Sequence, residues 1–204
     1  MVAPVSTSSP RKGRTGMARQ FARIEPEHRA FIERQKIFFV ASAPPQGRIN
    51  VSPKGLSSFR VLGETDVAYV DCTGSGSETR AHLIASDDKR LTIMFCAFDG
   101  APMILRLYGQ GRSLMRGTPE YADLVPKFEK VAGARQIIRL SIDLVQTSCG
   151  MGVPLFDYKQ ERGSLVRYWT ARGVDKLRKY WGLKNMKSID GLPTAFIPVR
   201  MAPR

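Results

Sequence analysis

Between two apolar stretches the chain reads Thr73-Gly74-Ser75-Gly76-Ser77-Glu78-Thr79-Arg80-Ala81-His82. Glycine and serine favour irregular backbone, and better helix formers follow, so the segment reads as a loop feeding a helix N-terminus. The first N–H groups of a helix lack intrahelical partners, which makes such a junction a ready site for phosphate. Arg80, in the first turn, can add a guanidinium to those donors. The same residues equally fit a solvated loop with Ser77 as N-cap, and spacing alone leaves both readings open. A second candidate is Asn50-Val51-Ser52-Pro53-Lys54-Gly55. Alternate residues of a strand share a face, so Asn50, Ser52 and Lys54 point opposite to Val51. That polar face meets either solvent or a polar ligand. Arg106 interrupts the apolar run Ile104–Tyr108, where an unpaired guanidinium is costly to bury. Water, an ion pair or a bound anion would each satisfy it. Gln146-Thr147-Ser148-Cys149-Gly150 ends the last strand in a polar turn.

Other chemistries find little support. The three cysteines, Cys72, Cys96 and Cys149, lack metal-type spacing. Only two histidines occur, His28 and His82, which leaves Cys149 without an obvious base as a nucleophile. No Gly-x-Ser-x-Gly elbow, Walker loop or Rossmann fingerprint is present.

The elements that must position these residues are mostly strands. A short helix opens at Glu25-Pro26-Glu27 and ends near Gln35, and folded structure is expected from about Ile24. Strands follow over Ile37–Ala41, Arg48–Pro53, Ser58–Leu62 and Val67–Cys72, with turns at Pro44–Gly47 and Gly63–Thr65. A helix over Glu78–Ala85 precedes strands at Arg90–Phe98 and Met103–Met115. Thr118-Pro119-Glu120 caps another helix, Ala134–Thr147 is a further strand, and Glu161–Trp181 is helical with a break at Gly173. Leu165, Trp169, Leu177 and Trp181 recur at near-helical spacing and read as a packing face. Six or seven hairpin-linked strands close into a small barrel, giving a mainly β fold with peripheral helices.

Composition frames the reading. The 204 residues suit one domain with appendages. Residues 1–18 are basic and poor in large apolar side chains and read as a disordered extension. Residues 19–156 form the barrel domain, and residues 157–204 a C-terminal helical segment packing on the barrel or on a dimer mate. No apolar run approaches the roughly 18 residues of a membrane helix. The cysteine pattern suggests a reducing, cytoplasmic setting, with organelle targeting by residues 1–18 left open. The net charge of +14 raises the question of a polyanionic partner. The basic residues are dispersed, however, and no nucleic-acid motif accompanies them, so nucleic acid is not the expected ligand.

The order of these parts resembles the pyridoxamine 5′-phosphate oxidase family, and within it the FMN-binding split barrels. Six segments carry the likeness in sequence order: Asn50–Gly55, Ser58–Gly63, Thr73–Gly76, Ile104–Gly109, Gln146–Gly150 and Ser188–Pro193. The resemblance implies a six-stranded antiparallel split β-barrel that binds FMN at the interface of a homodimer and transfers hydride or electrons to or from a small organic substrate. Arg80 matches the basic position that contacts the flavin phosphate, and Thr79 stands where an arginine usually precedes it. Ser52 and Lys54 fall on the strand that supplies other phosphate and ring contacts, and Thr73 and Ser75 of the loop complete that side. Ile104 replaces a glutamine directed at the flavin, and Arg106, on the same face, is the expected substitute. Gln146, Thr147 and Ser148 match a polar turn contributed across the dimer. Lys184–Gly191 differs from the substrate-binding end of the true oxidases, which argues against pyridoxamine phosphate as substrate. Related barrels that use a deazaflavin or haem remain alternatives, as does a non-catalytic flavin-binding module whose basic tails dock a polyanion.

Overall fold

A computed structural model of the chain describes residues 18–55, 57–130 and 132–196. The extension expected over residues 1–18 therefore lies, save its last residue, outside the described residues. The strands are β1 (Arg19–Phe21), β2 (Phe38–Ser42), β3 (Asn50–Lys54), β4 (Phe59–Gly63), β5 (Asp66–Cys72), β6 (Arg90–Cys96), β7 (Ile104–Met115) and β8 (Ala134–Ser148). The helices are α1 (Pro26–Arg34), α2 (Glu78–Ala85), α3 (Pro119–Leu124) and α4 (Ser164–Lys184). Eight strands thus stand against the seven read from the residues and the six that the resemblance implies. The strand missed from the sequence is β1, which pairs antiparallel with β8 ahead of the expected start at Ile24. Three residues are too few to show a period.

All strand pairs are antiparallel, in the order β3-β2-β6-β7-β8-β5-β4. The two ends, β3 and β4, do not pair. Yet Phe38 of β2 packs edge-on against Phe59 of β4, with ring centroids 5.0 Å apart, although four strands separate them in the sheet. Phe59 also meets Phe95 of β6 at 5.1 Å. The sheet has therefore curled until β4 meets β2 and β6 through side chains rather than backbone, which makes it a barrel split between β3 and β4. Alternation explains what drives this closure. Leu105 and Leu107 of β7 and Val145 of β8 are fully buried in the interior, while their neighbours Arg106 and Gln146 face outward.

The long β7–β8 ladder carries one bulge, where Tyr108 pairs with Leu144 and Gly109 with Ile142. Only glycine fits there, because a Cβ on Gly109 would lie 1.9 Å from the Ser141 carbonyl oxygen. Outside the barrel, α4 buries Trp169, Leu177 and Trp181 with Phe196, and its path breaks at Gly173 as expected (φ 73°, ψ 175°). No described helix is long and apolar enough to cross a membrane.

The bulge generates a test by denaturant unfolding. Gly109→Ala should lower stability by about 3 kcal/mol or more, since a backbone atom must move. Gly182→Ala, in α4 with no heavy atom within 4 Å of the added Cβ, should leave stability equal or raise it by about 0.5 kcal/mol. Equal stability of the two variants would contradict the described register.

Candidate functional site

Five pieces of chain meet around a cleft of about 610 Å³. They are strand β3, the end of β5, the loop Gly74–Ser77 with the first turn of α2, Arg135 of β8, and Ile189 beyond α4. The polar residues of β3 turn inward: Asn50, Ser52 and Lys54 are half-buried and Val51 is exposed. Their cross-strand partners, Ser42, Val40 and Phe38, are buried. The sequence alternation thus sets a polar face against the barrel's open end.

A buried carboxylate organises the cleft. Asp71 accepts from Lys54 Nζ at 3.0 Å, from Arg135 Nε at 2.8 Å and from Gln136 Nε2 at 2.7 Å. The ladder explains how two consecutive residues of β8 reach one acid. Asp71 pairs with Gln136 and Cys72 with Ala134, so Arg135 is the extra residue of a bulge and is re-aimed toward the same face. Burial alone would raise the pKa of Asp71, but the Arg135 and Lys54 charges and the two hydrogen bonds outweigh it. The carboxyl is held well below the ordinary carboxylate range. Next to it, burial and the Asp71 charge push the Cys72 thiol up to about 11, so it stays protonated near neutrality and is a poor nucleophile.

Arg80 lies behind the cleft, not in it. It is buried, and its guanidinium donates to Thr194 O at 2.5 Å, Ser113 Oγ at 2.5 Å and Ala195 O at 3.2 Å. Ser113 Oγ donates to Gln136 Oε1 at 2.6 Å, and Gln136 reaches Asp71. A relay therefore runs Arg80–Ser113–Gln136–Asp71–Lys54. Arg80 also ties down the segment after α4, residues 185–196. The same strap is held by Asn185, which accepts from Arg135 and donates to Gly74 O. Glu78 accepts from Ile189 N, and Asp190 pairs with Arg48.

The residues expected from the sequence therefore fall into separate groups. Ser52, Lys54, Ser75 and Thr79 line the cleft. Thr73 is buried beside it, and its hydroxyl donates to Gly133 O and accepts from Trp181 Nε1, each at 2.7 Å. Arg80 serves the relay and strap. Arg106 donates to Ser148 Oγ at 3.0 Å, and Gln146 accepts from Tyr108. This outer-face cluster does not line the cleft of its own chain. Thr147 alternates to the other face of β8. Asp71, Arg135 and Gln136 were not foreseen, nor was the contact of the strap with the cleft, although the resemblance had marked its Ser188–Pro193 motif. An acid in phase with Val67 and Tyr69 on a buried strand was the one available signal for Asp71.

Two polar atoms in the cleft wall are left without partners. Ser77 stands at the N-cap of α2 but makes no capping bond, and its Oγ is buried and unpaired. Asn50 Nδ2 is likewise buried and unpaired. A buried donor without a partner is costly. With the Lys54 and Arg135 charges beside them, these atoms suit an oxyanion such as a phosphate monoester.

Asp71→Asn would leave Arg135 buried without its carboxylate and should cost about 3 kcal/mol in chemical denaturation. The sign with pH follows from the depressed pKa. The contribution of Asp71 is fully present above the unfolded carboxyl value of about 4 and is lost as pH falls toward the lower folded value. The wild type should therefore lose stability below about pH 4 more steeply than Asp71→Asn. Parallel acid profiles would show that Asp71 is not the buried anion described here.

Comparison with known proteins shows the family. The pyridoxamine 5′-phosphate oxidase family profile matches residues 24–149. The pyridoxamine 5′-phosphate oxidase family protein ustO of Aspergillus flavus is 44% identical over 180 residues, covering 78% of this chain and 71% of that protein. Among solved structures, the haem storage protein HutZ of Vibrio cholerae is similar at 18% identity and TM-score 0.44, over 63% of this chain and 98% of its own. A pyridoxamine 5′-phosphate oxidase-related, FMN-binding protein of Nostoc punctiforme is similar at 13% identity and TM-score 0.42, over 55% of this chain and 73% of its own. On the profile match and the 44% relative, the chain belongs to the pyridoxamine 5′-phosphate oxidase family.

Proposed function

We propose that the chain is a flavin-dependent oxidoreductase, acting as a homodimer, that holds FMN by its phosphate in the Lys54 cleft. The observation that carries this reading is the pair of unpartnered buried atoms, Ser77 Oγ and Asn50 Nδ2, beside Lys54 and Arg135 in one cleft. A phosphate monoester near pH 7 carries close to two negative charges. Lys54 and Arg135 supply two positive charges against the one negative charge of Asp71, and the N-terminus of α2 adds neutral donors. Ser52, Ser75 and Thr79 can hydrogen-bond the remaining phosphate and ribityl oxygens.

Bound flavin supplies hydride or electron transfer. The chain's own residues bind and orient it. The Asp71 carboxylate fixes the Lys54 ammonium, and the strap closes one side of the cleft. The outer-face cluster Arg106, Gln146 and Ser148, which does not line the Lys54 cleft of its own chain, is assigned to the flavin site of the second copy. Arg80 is assigned a positioning role through its relay and strap contacts.

The purified protein should be yellow and release FMN on denaturation, identified by mass spectrometry. Release of a deazaflavin or haem, or a colourless protein that ignores micromolar FMN, would overturn the proposal. Lys54→Ala should weaken FMN binding about tenfold or more by loss of a charge-assisted contact. Arg80→Ala should weaken it about tenfold as well, and should also increase proteolytic cleavage within residues 185–196. An unchanged dissociation constant in Lys54→Ala would place the phosphate elsewhere.

A further inference from the structure

A second, larger cavity adjoins the first. It measures about 900 Å³, within the range of small-molecule pockets, and shares Pro53 and Lys54 with the phosphate cleft. Two adjacent residues of β3 thus stand in both walls. The far wall is the irregular segment 156–163 ahead of α4, pinned where Phe156 N donates to Phe98 O at 2.8 Å. The Phe98 and Phe156 rings lie 5.5 Å apart, tilted by 34°. Both reach the cavity, as does Tyr158. Lys36 holds its ammonium 5.7 Å from the Tyr158 ring centroid and has no ion-pair partner among the described residues. Basic side chains outnumber acidic ones in the wall by five to three.

We infer that this cavity is a second ligand site, for a flat aromatic molecule bearing a carboxylate or similar anionic group. The rings of Phe98, Phe156 and Tyr158 offer faces and edges for an aromatic group, and Lys36 offers a cation already placed against one of those rings. The chain's large positive charge favours the approach of such an anion. As a substrate site the cavity rests on the flavin reading above, because its occupant would lie next to the cofactor across Lys54. As a binding site it stands on its own walls.

The test is calorimetric titration of the purified protein, with and without saturating FMN, using 2-naphthoate as probe. Cyclohexanecarboxylate, which lacks the aromatic rings, and 2-naphthylmethylamine, which reverses the charge, serve as controls. Naphthoate should bind, and each control should bind at least about tenfold more weakly. Phe156→Ala and Lys36→Gln, both at exposed positions, should each weaken naphthoate about tenfold while leaving FMN affinity unchanged. Naphthoate should also shift the visible spectrum of bound flavin. Binding of naphthoate by a protein that takes no FMN would sink the flavin reading and leave the pocket standing. A yellow protein that does not bind naphthoate, controls that bind equally well, or unchanged affinity in both variants would overturn the pocket. So would a Phe156→Ala variant that turns a dimer into a monomer without altering naphthoate binding, since Phe156 would then be a subunit contact.

Discussion

A carboxylate with 4% of its side chain exposed must either be protonated or be surrounded by donors. Asp71 takes the second course, with Lys54, Arg135 and Gln136 closing on it. Each partner comes from a different part of the fold's logic. Lys54 arrives because β3 alternates polar residues inward. Gln136 arrives because the β5–β8 register sets it opposite Asp71, and Arg135 because that register slips by one residue. Remove the acid and two cations at the barrel's open end are left without a counter-charge, one of them buried. The position of the cleft, its charge and the anchoring of its far wall all follow from that one group.

The network extends beyond the cleft. Arg135 passes to Asn185, and Gln136 passes through Ser113 to Arg80, and both lines end on the segment after α4. Asn185 and Thr194 are themselves bonded, Thr194 Oγ1 donating to Asn185 O at 2.6 Å. The strap is therefore an extension of the site's polar core. Buried networks of this kind are effective only when every member is satisfied. In the cleft wall two atoms are not, Ser77 Oγ and Asn50 Nδ2, and they sit where a ligand would complete the set.

Much of this was legible in the residue pattern. Apolar runs bounded by turn residues placed the strands, Pro and Thr marked the helix starts, and the Gly/Ser loop before α2 marked one wall of the cleft. The N-cap Thr118 accepts from Tyr121 N as its type suggested. Ordered motifs then singled out the family, which the 44% relative establishes. What the pattern could not show was partnership across distance. Arg80 reads locally as a free cation in a helix first turn, and only the return of Thr194 and Ala195 reveals what occupies it. Arg135 becomes a site residue through a one-residue slip between strands more than sixty positions apart in sequence, a feature without local signature. Arg106 and Gln146 were read as separate candidates; β7 and β8 make them neighbours, on the outer face of the sheet.

If Lys54, Arg135 and the α2 N-terminus form a phosphate site, affinity for flavin must depend on the phosphate more than on the ring. The direct measurement is side-by-side titration of the colourless apoprotein with FMN and with riboflavin, which differ only by that group. FMN should bind at least about a hundredfold tighter, as expected for two charge-assisted contacts, with most of the difference lost in Lys54→Ala. Equal affinity for the two flavins, or a preference that survives Lys54→Ala intact, would contradict this phosphate site.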